Sequence, residues 1–160
     1  MAKIFTHIKH IFLKDLTVYG NVYFSNYFDW QGEAREAMLN EIIKSTSSAV
    51  NQGLKLVTLS ASIKYKGEVN TGDIVYIDVI PEKLTLTTIE LNFIYKKGPS
   101  SPVVAEGHQR IGFTSINGDI VPLPQELIAN GKKYLSMDLL KQIDSIERKI
   151  LWLAEHSSTK

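Results

Sequence analysis

The sequence predicts an α+β domain: an antiparallel sheet of about five strands wrapped around one long helix, with an added C-terminal helix. Three observations carry this. A single long segment after Ser25 has apolar residues at helical spacing, strand-like runs joined by short turns fill residues 54–116, and a second helical stripe follows Ser136. Short turns favour antiparallel pairing. One long helix leaves the sheet to close around it.

Ile4 to Leu13 has apolar residues at 4, 5, 8, 11, 12 and 13 and reads as an imperfectly alternating strand. His7 and His10 read as polar positions on its solvent face, because no further Cys, His or acidic cluster supplies a metal's other ligands. Phe12 to Leu39 then organises the chain as a strand end, a turn at Gly20-Asn21 and the start of the long helix. Tyr27, Trp30, Ala34, Ala37, Met38 and Ile42 mark its apolar stripe, which continues without Pro to about Val50. Ser25 or Asn26 is the expected cap, and Asp29 suits the first turn. Gly32 costs about 1 kcal/mol relative to Ala in a helix, which suggests close approach of another backbone or a ligand. Asn51-Gln52-Gly53 is the expected end, with Gly53 as C-terminal cap.

Four strands follow: Leu54 to Tyr65, Ile74 to Ile80 closed by Pro81-Glu82-Lys83, Leu84 to Tyr95, and Val103 to Ile116. Turns at 70–73, 96–102 and Asn117-Gly118 separate or end them. The tail holds a short helical piece, Gln125 to Asn130, interrupted by Gly131. A longer helix then opens at Ser136 with Asp138 in its first turn. Its stripe, Leu139, Leu140, Ile143, Ile146, Ile150, Leu151 and Leu153, either packs on its own domain or meets a neighbouring subunit. Residues 1–135 thus form the main domain and 136–156 an amphipathic helix; only His156 to Lys160 read as disordered.

Composition narrows the function. One hundred and sixty residues suit one domain, and 44% hydrophobic with 22% charged residues is ordinary for a soluble globular chain. A net charge of +1 gives no footing for nucleic acid or an anionic membrane. The absence of cysteine excludes disulfides, thiolate metal sites and a cysteine nucleophile. Neither a signal-type leader nor an apolar run near the ~20 residues of a membrane span is present, so a cytoplasmic protein without metal or cofactor is expected.

The run Thr17-Val18-Tyr19-Gly20-Asn21-Val22-Tyr23-Phe24-Ser25-Asn26-Tyr27, with Trp30-Gln31-Gly32 and Ala34-Arg35-Glu36, resembles the entry segment of hotdog-fold thioesterases of the 4-hydroxybenzoyl-CoA thioesterase type. The Gly-Asn-Val-Tyr-Phe and Trp-Gln-Gly runs are most similar to the branch that releases polyketides from acyl carrier protein in enediyne biosynthesis. The resemblance implies a single hotdog domain that hydrolyses acyl or polyketide thioesters, β-ketoacyl ones included, of acyl carrier protein or coenzyme A. It also implies a homodimer with its site between subunits, and the stripe of the last helix extends that expectation to a homotetramer.

In commoner members of that family a strand-end Asp three residues before the glycine is nucleophile or base; here Thr17 stands there. The enediyne-type branch also lacks the acid. By position relative to Gly20, its helical arginine and tyrosine correspond to Arg35 and Tyr27, about 80° apart around the axis and expected to border one groove. The roles so implied are carboxylate or β-keto binding by Arg35, hydrogen-bond donation by Tyr27, and water held by Thr17 near Asn21. Backbone N–H groups around Asn21, Val22 and Tyr23 would polarise the carbonyl, and Tyr19, Gly20, Phe24 and Gln31 would contact substrate.

Duller roles stand beside these. Arg35 pairs with Glu36 of a neighbouring chain or with Asp29, Tyr27 is core, and Asn21 serves the turn. Substitutes for the missing acid are Glu33, Glu36 and Glu41 on the helix, then Asp15, whose side chain in a strand would share the direction of Thr17's, and His108 in the last long strand. The competing functional class is a hotdog module that binds acyl chains without turnover. Dehydratases and isomerases of this fold rank third, since they use a histidine the motif does not offer.

Overall fold

The structure, a computed structural model, describes residues 1–43 and 53–157. In chain order the elements are β1 (Phe5–His10), α1 (Asn26–Ile42), β2 (Lys55–Tyr65), β3 (Ile74–Leu84), β4 (Thr88–Lys96), β5 (Val103–Thr114), β6 (Ile120–Val121), α2 (Gln125–Gly131) and α3 (Met137–His156). The strands form one antiparallel sheet in the order β1-β3-β4-β5-β2, and the two-residue β6 adds to β5. One strand, one helix and then four long strands is the hotdog arrangement.

Alternation decides which sheet face is dry. Val75, Ile77 and Val79 of β3, Leu91, Phe93 and Tyr95 of β4 and Ala105 and Ile111 of β5 point inward. They meet Tyr27, Trp30, Ala34, Met38 and Ile42 of α1 in one cluster. The stripe read at helical spacing is thus the buried face of α1, and each large side chain sealed there contributes about 1.5–3 kcal/mol.

Several boundaries differ from the sequence reading, each for a local reason. β1 stops at His10, and Leu13–Asp15 forms a 3₁₀ turn because the Asp15 carboxylate accepts the Phe12 N–H at 2.9 Å. α1 ends at Ile42, where Ile43 turns to extended backbone and Asn130 Nδ2 donates to the Ile42 carbonyl. The expected continuation to Val50 and the Asn51-Gln52 end lie outside the described residues. Gly53 adopts φ +73°, eleven residues beyond that helix end, and does not cap it. Neither candidate N-cap accepts a helix N–H with its side chain. Ser25 makes no capping bond, and the Asn26 amide instead donates to the Asp15 carbonyl at 2.8 Å.

Gly32 is not crowded: a Cβ there would meet nothing within 4 Å. Pro81 does not end β3. A register shift between Pro81 and Lys83 absorbs its missing N–H, and the β1 ladder has already stopped at Val79 on that side. β4 starts at Thr88 because Thr85 and Thr88 close a turn through their hydroxyls and backbone.

The last helix begins as expected, with the Ser136 hydroxyl accepting the Leu139 N–H at 3.3 Å. Leu139, Ile143 and Ile150 are buried in the same cluster as α1. Leu151 and Trp152, further along, remain 52% and 57% exposed.

Candidate active site

The turn into α1 is closed by its own hydrogen bonds. Leu16 and Val22 bridge, Thr17 N–H donates to the Asn21 carbonyl at 2.7 Å, and Gly20 N–H donates to the Thr17 carbonyl at 3.1 Å. Gly20 takes φ +86°, a conformation that explains glycine at this position. The Thr17 hydroxyl donates to Asn21 Oδ1 at 2.5 Å and accepts the Tyr19 N–H at 3.1 Å. Both side chains therefore fix the turn, and the Thr17 hydroxyl has spent its only hydrogen.

Asp15 is buried beneath this turn. Burial pushes its carboxyl up, but Lys14 and the Phe12 N–H outweigh that and hold it below the usual carboxylate range. In its 3₁₀ turn it does not run alongside Thr17 as a strand would have placed it.

Two of the three N–H groups expected to polarise the carbonyl are occupied: Val22 donates to the Val69 carbonyl at 2.8 Å and Tyr23 to the Asp15 carbonyl at 3.0 Å. Their bonds hold the turn against its neighbours and leave nothing for a ligand. One step along the chain, the N–H groups of Phe24 and Ser25 have no backbone partner among the described residues.

Tyr27 is buried in an aromatic cluster, its ring 5.1 Å from Trp30, 5.1 Å from Tyr65 and 5.7 Å from Tyr95. Tyr95 donates its hydroxyl to the Tyr27 carbonyl at 3.0 Å, and Tyr65 donates to the Phe24 carbonyl at 2.8 Å. Burial pushes the Tyr27 phenol up to about 12, so below that pH it is a neutral donor. Asn21, Phe24, Tyr27, Tyr65, Gly67 and Glu68 border a common recess. Tyr19 projects into solvent at 90% exposure.

Arg35 lies two turns further along α1, about 12 Å on, and lines a different recess. Its side chain is only 13% exposed. Nη1 donates to Thr58 Oγ1 at 2.8 Å and Gln109 Oε1 at 3.0 Å; Nε and Nη2 donate to Glu36 Oε1 at 3.3 and 2.9 Å. Four of its five N–H groups are thereby committed, and one Nη2 hydrogen is left. Gln109 Nε2 donates onward to Gln31 Oε1 at 2.7 Å, and Gln31 Nε2 donates to the Ser62 carbonyl at 3.3 Å. Gln31, expected to contact substrate, is instead completely buried as the far end of this network. Its amide needs Gly107, where a Cβ would fall 2.1 Å from Gln31 Nε2.

The recess at Arg35 is an apolar crevice between α1, the inner face of β3 and β4, and the C-terminal helices. Met38 and Ile42 of α1, Leu84 and Leu91 of the sheet, and Leu135 and Ile143 of the C-terminal segment line it. Gln109 and Thr58 were missed in the sequence. Gln109 left a signal, as the one polar side chain among the inward positions Ala105, Gly107, Ile111 and Phe113 of β5. Thr58 and the crevice left none, because each is assembled from segments far apart in the chain.

The substitute acids are engaged elsewhere. Glu33 binds Lys9 at 2.9 Å beside His7, Glu36 binds Arg35, and Glu41 binds Lys3, Lys133 and Tyr134. His108 lies on the outer face of the sheet, the reverse of its neighbours Gly107 and Gln109. It contacts Glu90 at 3.2 Å and Glu82 at 3.7 Å. That trio brings its donor atoms within 4.8 Å of one another, and Lys83, 3.8 Å from Glu90, adds a cation to it.

Residues 13–131 match the thioesterase-like superfamily. No curated protein sequence matches the chain. Among solved structures, the dynemicin thioesterase is similar at 26% identity and TM-score 0.77, covering 84% of this chain and 99% of its own. A 1,4-dihydroxy-2-naphthoyl-CoA thioesterase from Synechocystis is similar at 20% identity and TM-score 0.74, covering 85% and 98%. A gentisyl-coenzyme A thioesterase is similar at 21% and 0.69, covering 78% and 97%. The last two likenesses show the fold. α3 lies beyond the residues that match the superfamily.

Proposed function

Because this chain belongs to the thioesterase-like superfamily and is a thioesterase, we propose that it releases acyl or polyketide chains, β-ketoacyl chains among them, from acyl carrier protein or coenzyme A without a strand-end carboxylate. One observation supports this above the rest: a guanidinium on α1, nearly buried and locked by Glu36, Thr58 and Gln109, has one N–H still to give.

In this reading the remaining Nη2 hydrogen of Arg35 binds the β-keto or carbonyl oxygen of the chain. The N–H groups of Phe24 and Ser25, with the Tyr27 phenol, stabilise the oxyanion as a water oxygen bonds to the thioester carbon. Collapse of that intermediate re-forms the carbonyl and breaks the carbon–sulfur bond. The departing thiolate takes the proton that the water gives up. A thiolate is a good leaving group, which lessens the need for a strong base at position 17. Arg35 and Tyr27 border separate recesses of one subunit, so a partner subunit is assigned the remaining wall. The exposed Tyr23, Phe24, Phe28 and Leu59 and the free edge of β2 suit a homodimer, with a homotetramer as the larger assembly. No helix among the described residues is long and apolar enough to cross a membrane, and a cytoplasmic setting is part of the same proposal.

The test is thiol release from simple acyl and β-ketoacyl thioesters, each presented on coenzyme A and on a carrier protein. The double variant Arg35→Ala/Tyr27→Phe is expected to lose turnover by about 10²-fold or more. Turnover untouched by that pair would overturn the assignment of Arg35 and Tyr27. Chains that bind but are never released would leave an acyl-binding module.

A further inference from the structure

We infer that Glu68, in the turn between β2 and β3, is the general base of this thioesterase, its carboxylate carrying a proton from the attacking water to the departing sulfur. The inference rests on the thioesterase reading and names the group that replaces the strand-end acid.

The recess at the start of α1 measures about 190 Å³, a volume that admits several water molecules. Asn21, Phe24 and Tyr27 border it from the entry to α1, and Tyr65, Gly67 and Glu68 border it from β2 and the turn that follows. Two of these groups are chemically open. The Tyr27 hydroxyl has no hydrogen-bond partner among the described residues and is not sealed from solvent, so it opens into the recess. Glu68 is the one carboxylate on the border, is exposed, and has neither a hydrogen bond nor an ion pair among the described residues.

The other acids near this end of the sheet are spent. Asp15 holds Lys14, Glu33 holds Lys9, Glu36 holds Arg35 and Asp73 holds Lys97. Glu68 also acts on the phenol it faces: behind burial and Tyr65, its charge helps push Tyr27 up. A neutral donor and a free acceptor thus share one recess. The donor suits the thioester carbonyl oxygen, and the acceptor suits the water that attacks beside it.

The backbone fixes Glu68 from both sides. Gly67 N–H donates to the Val104 carbonyl of β5 at 3.0 Å, and the Val69 carbonyl accepts the Val22 N–H at 2.8 Å. The Tyr65 hydroxyl, bonded to the Phe24 carbonyl at 2.8 Å, ties the same two segments again. A base held this way meets its water in a set geometry.

The step balances without a co-reactant. Glu68 removes one proton as the water oxygen bonds to the thioester carbon, and the carbonyl electron pair moves onto the oxygen bound by Tyr27. Re-formation of the carbonyl breaks the carbon–sulfur bond, and the thiolate takes the proton from Glu68, which returns to a carboxylate.

The experiment uses whichever acyl or β-ketoacyl thioester the parent chain cleaves fastest, together with the matching thioether, which cannot be hydrolysed. Glu68→Gln is expected to lower kcat by about 10²-fold or more, with thioether affinity by calorimetry and melting temperature unchanged. Glu68→Asp should keep part of the lost rate, and added formate should restore part of it to Glu68→Ala. Glu126→Gln, an exposed acid of α2, should keep the parent rate.

Parental kcat in Glu68→Gln would overturn the inference and leave the thioesterase reading standing. So would a loss matched by an equal loss of thioether affinity, or one that neither the Asp variant nor formate relieves, since Glu68 would then bind or brace rather than move a proton. If Glu68→Gln does not fold, the Asp variant and the formate response of Glu68→Ala decide in the same way. A parent chain that cleaves no thioester would bring down the thioesterase reading and the inference with it.

Discussion

Two polar clusters sit along the same helix and behave differently. Arg35, its side chain 13% exposed, reaches inward from α1 to the buried Gln109 and, through it, Gln31, with Thr58 at the exposed rim. Glu41, at the far end, faces outward and gathers Lys3, Lys133 and Tyr134, with ion-pair side chains 38–56% exposed. Both are dense in hydrogen bonds. At Gln31 and Gln109 a lost bond leaves a buried partner, which costs about 1–3 kcal/mol. Outside, water replaces a lost partner, and ion pairs of that kind contribute little. The inner cluster fixes a geometry; the outer one fastens the N-terminal residues to the segment after α2 and responds to pH.

The comparison breaks most visibly at Arg35. Arg35→Lys keeps the charge but cannot span Glu36, Thr58 and Gln109 together, so kcat/KM should fall about 10²-fold. Steady-state kinetics with near-wild-type rates would mean that charge alone suffices and that the fixed fork is irrelevant. Gly107→Ala comes next. Its methyl would displace the Gln31 amide and destabilise the fold by about 1–3 kcal/mol, read from urea unfolding. An unchanged midpoint would show that the inner network relaxes as freely as the outer one.

Glu41→Gln should have the smallest effect and sharpens the contrast through pH. Hydrogen bonds from Tyr134, Lys133 and Lys3 pull the Glu41 carboxyl down to about 2 from its ordinary 4.5. A depressed folded value stabilises the fold above about pH 4.5, and this stabilisation fades as pH falls toward 2. The melting temperatures of parent and variant should therefore differ at pH 7 and converge near pH 2. A gap that persists at pH 2 would assign the effect to packing rather than charge.

Periodicity made the architecture legible: the α1 stripe, the alternation of β3 to β5 and the Ser136 cap appear in the structure as read. Local compensation hid the boundaries. Pro81 looked like a stop because nothing in its neighbours announces a register shift. At the candidate site, the likeness in the turn located Tyr27, Asn21 and Phe24 around one recess. Which N–H groups were already spent depended on Val69 and Asp15, which no local pattern ties to Val22 and Tyr23. Arg35 was singled out through its motif, but its holders Thr58 and Gln109 lie 23 and 74 residues away. Partnerships at that range are made by topology.

The two tryptophans occupy opposite environments. Trp30, on the buried face of α1, is 1% exposed, while Trp152 stands at 57% on the last helix, its ring stacked 4.4 Å from His156. The chain therefore carries two built-in optical probes, a dry emitter in the shared core and a wet one on the appended segment. A soluble quencher reaches the second first, so the two emitters can be told apart with no dye attached.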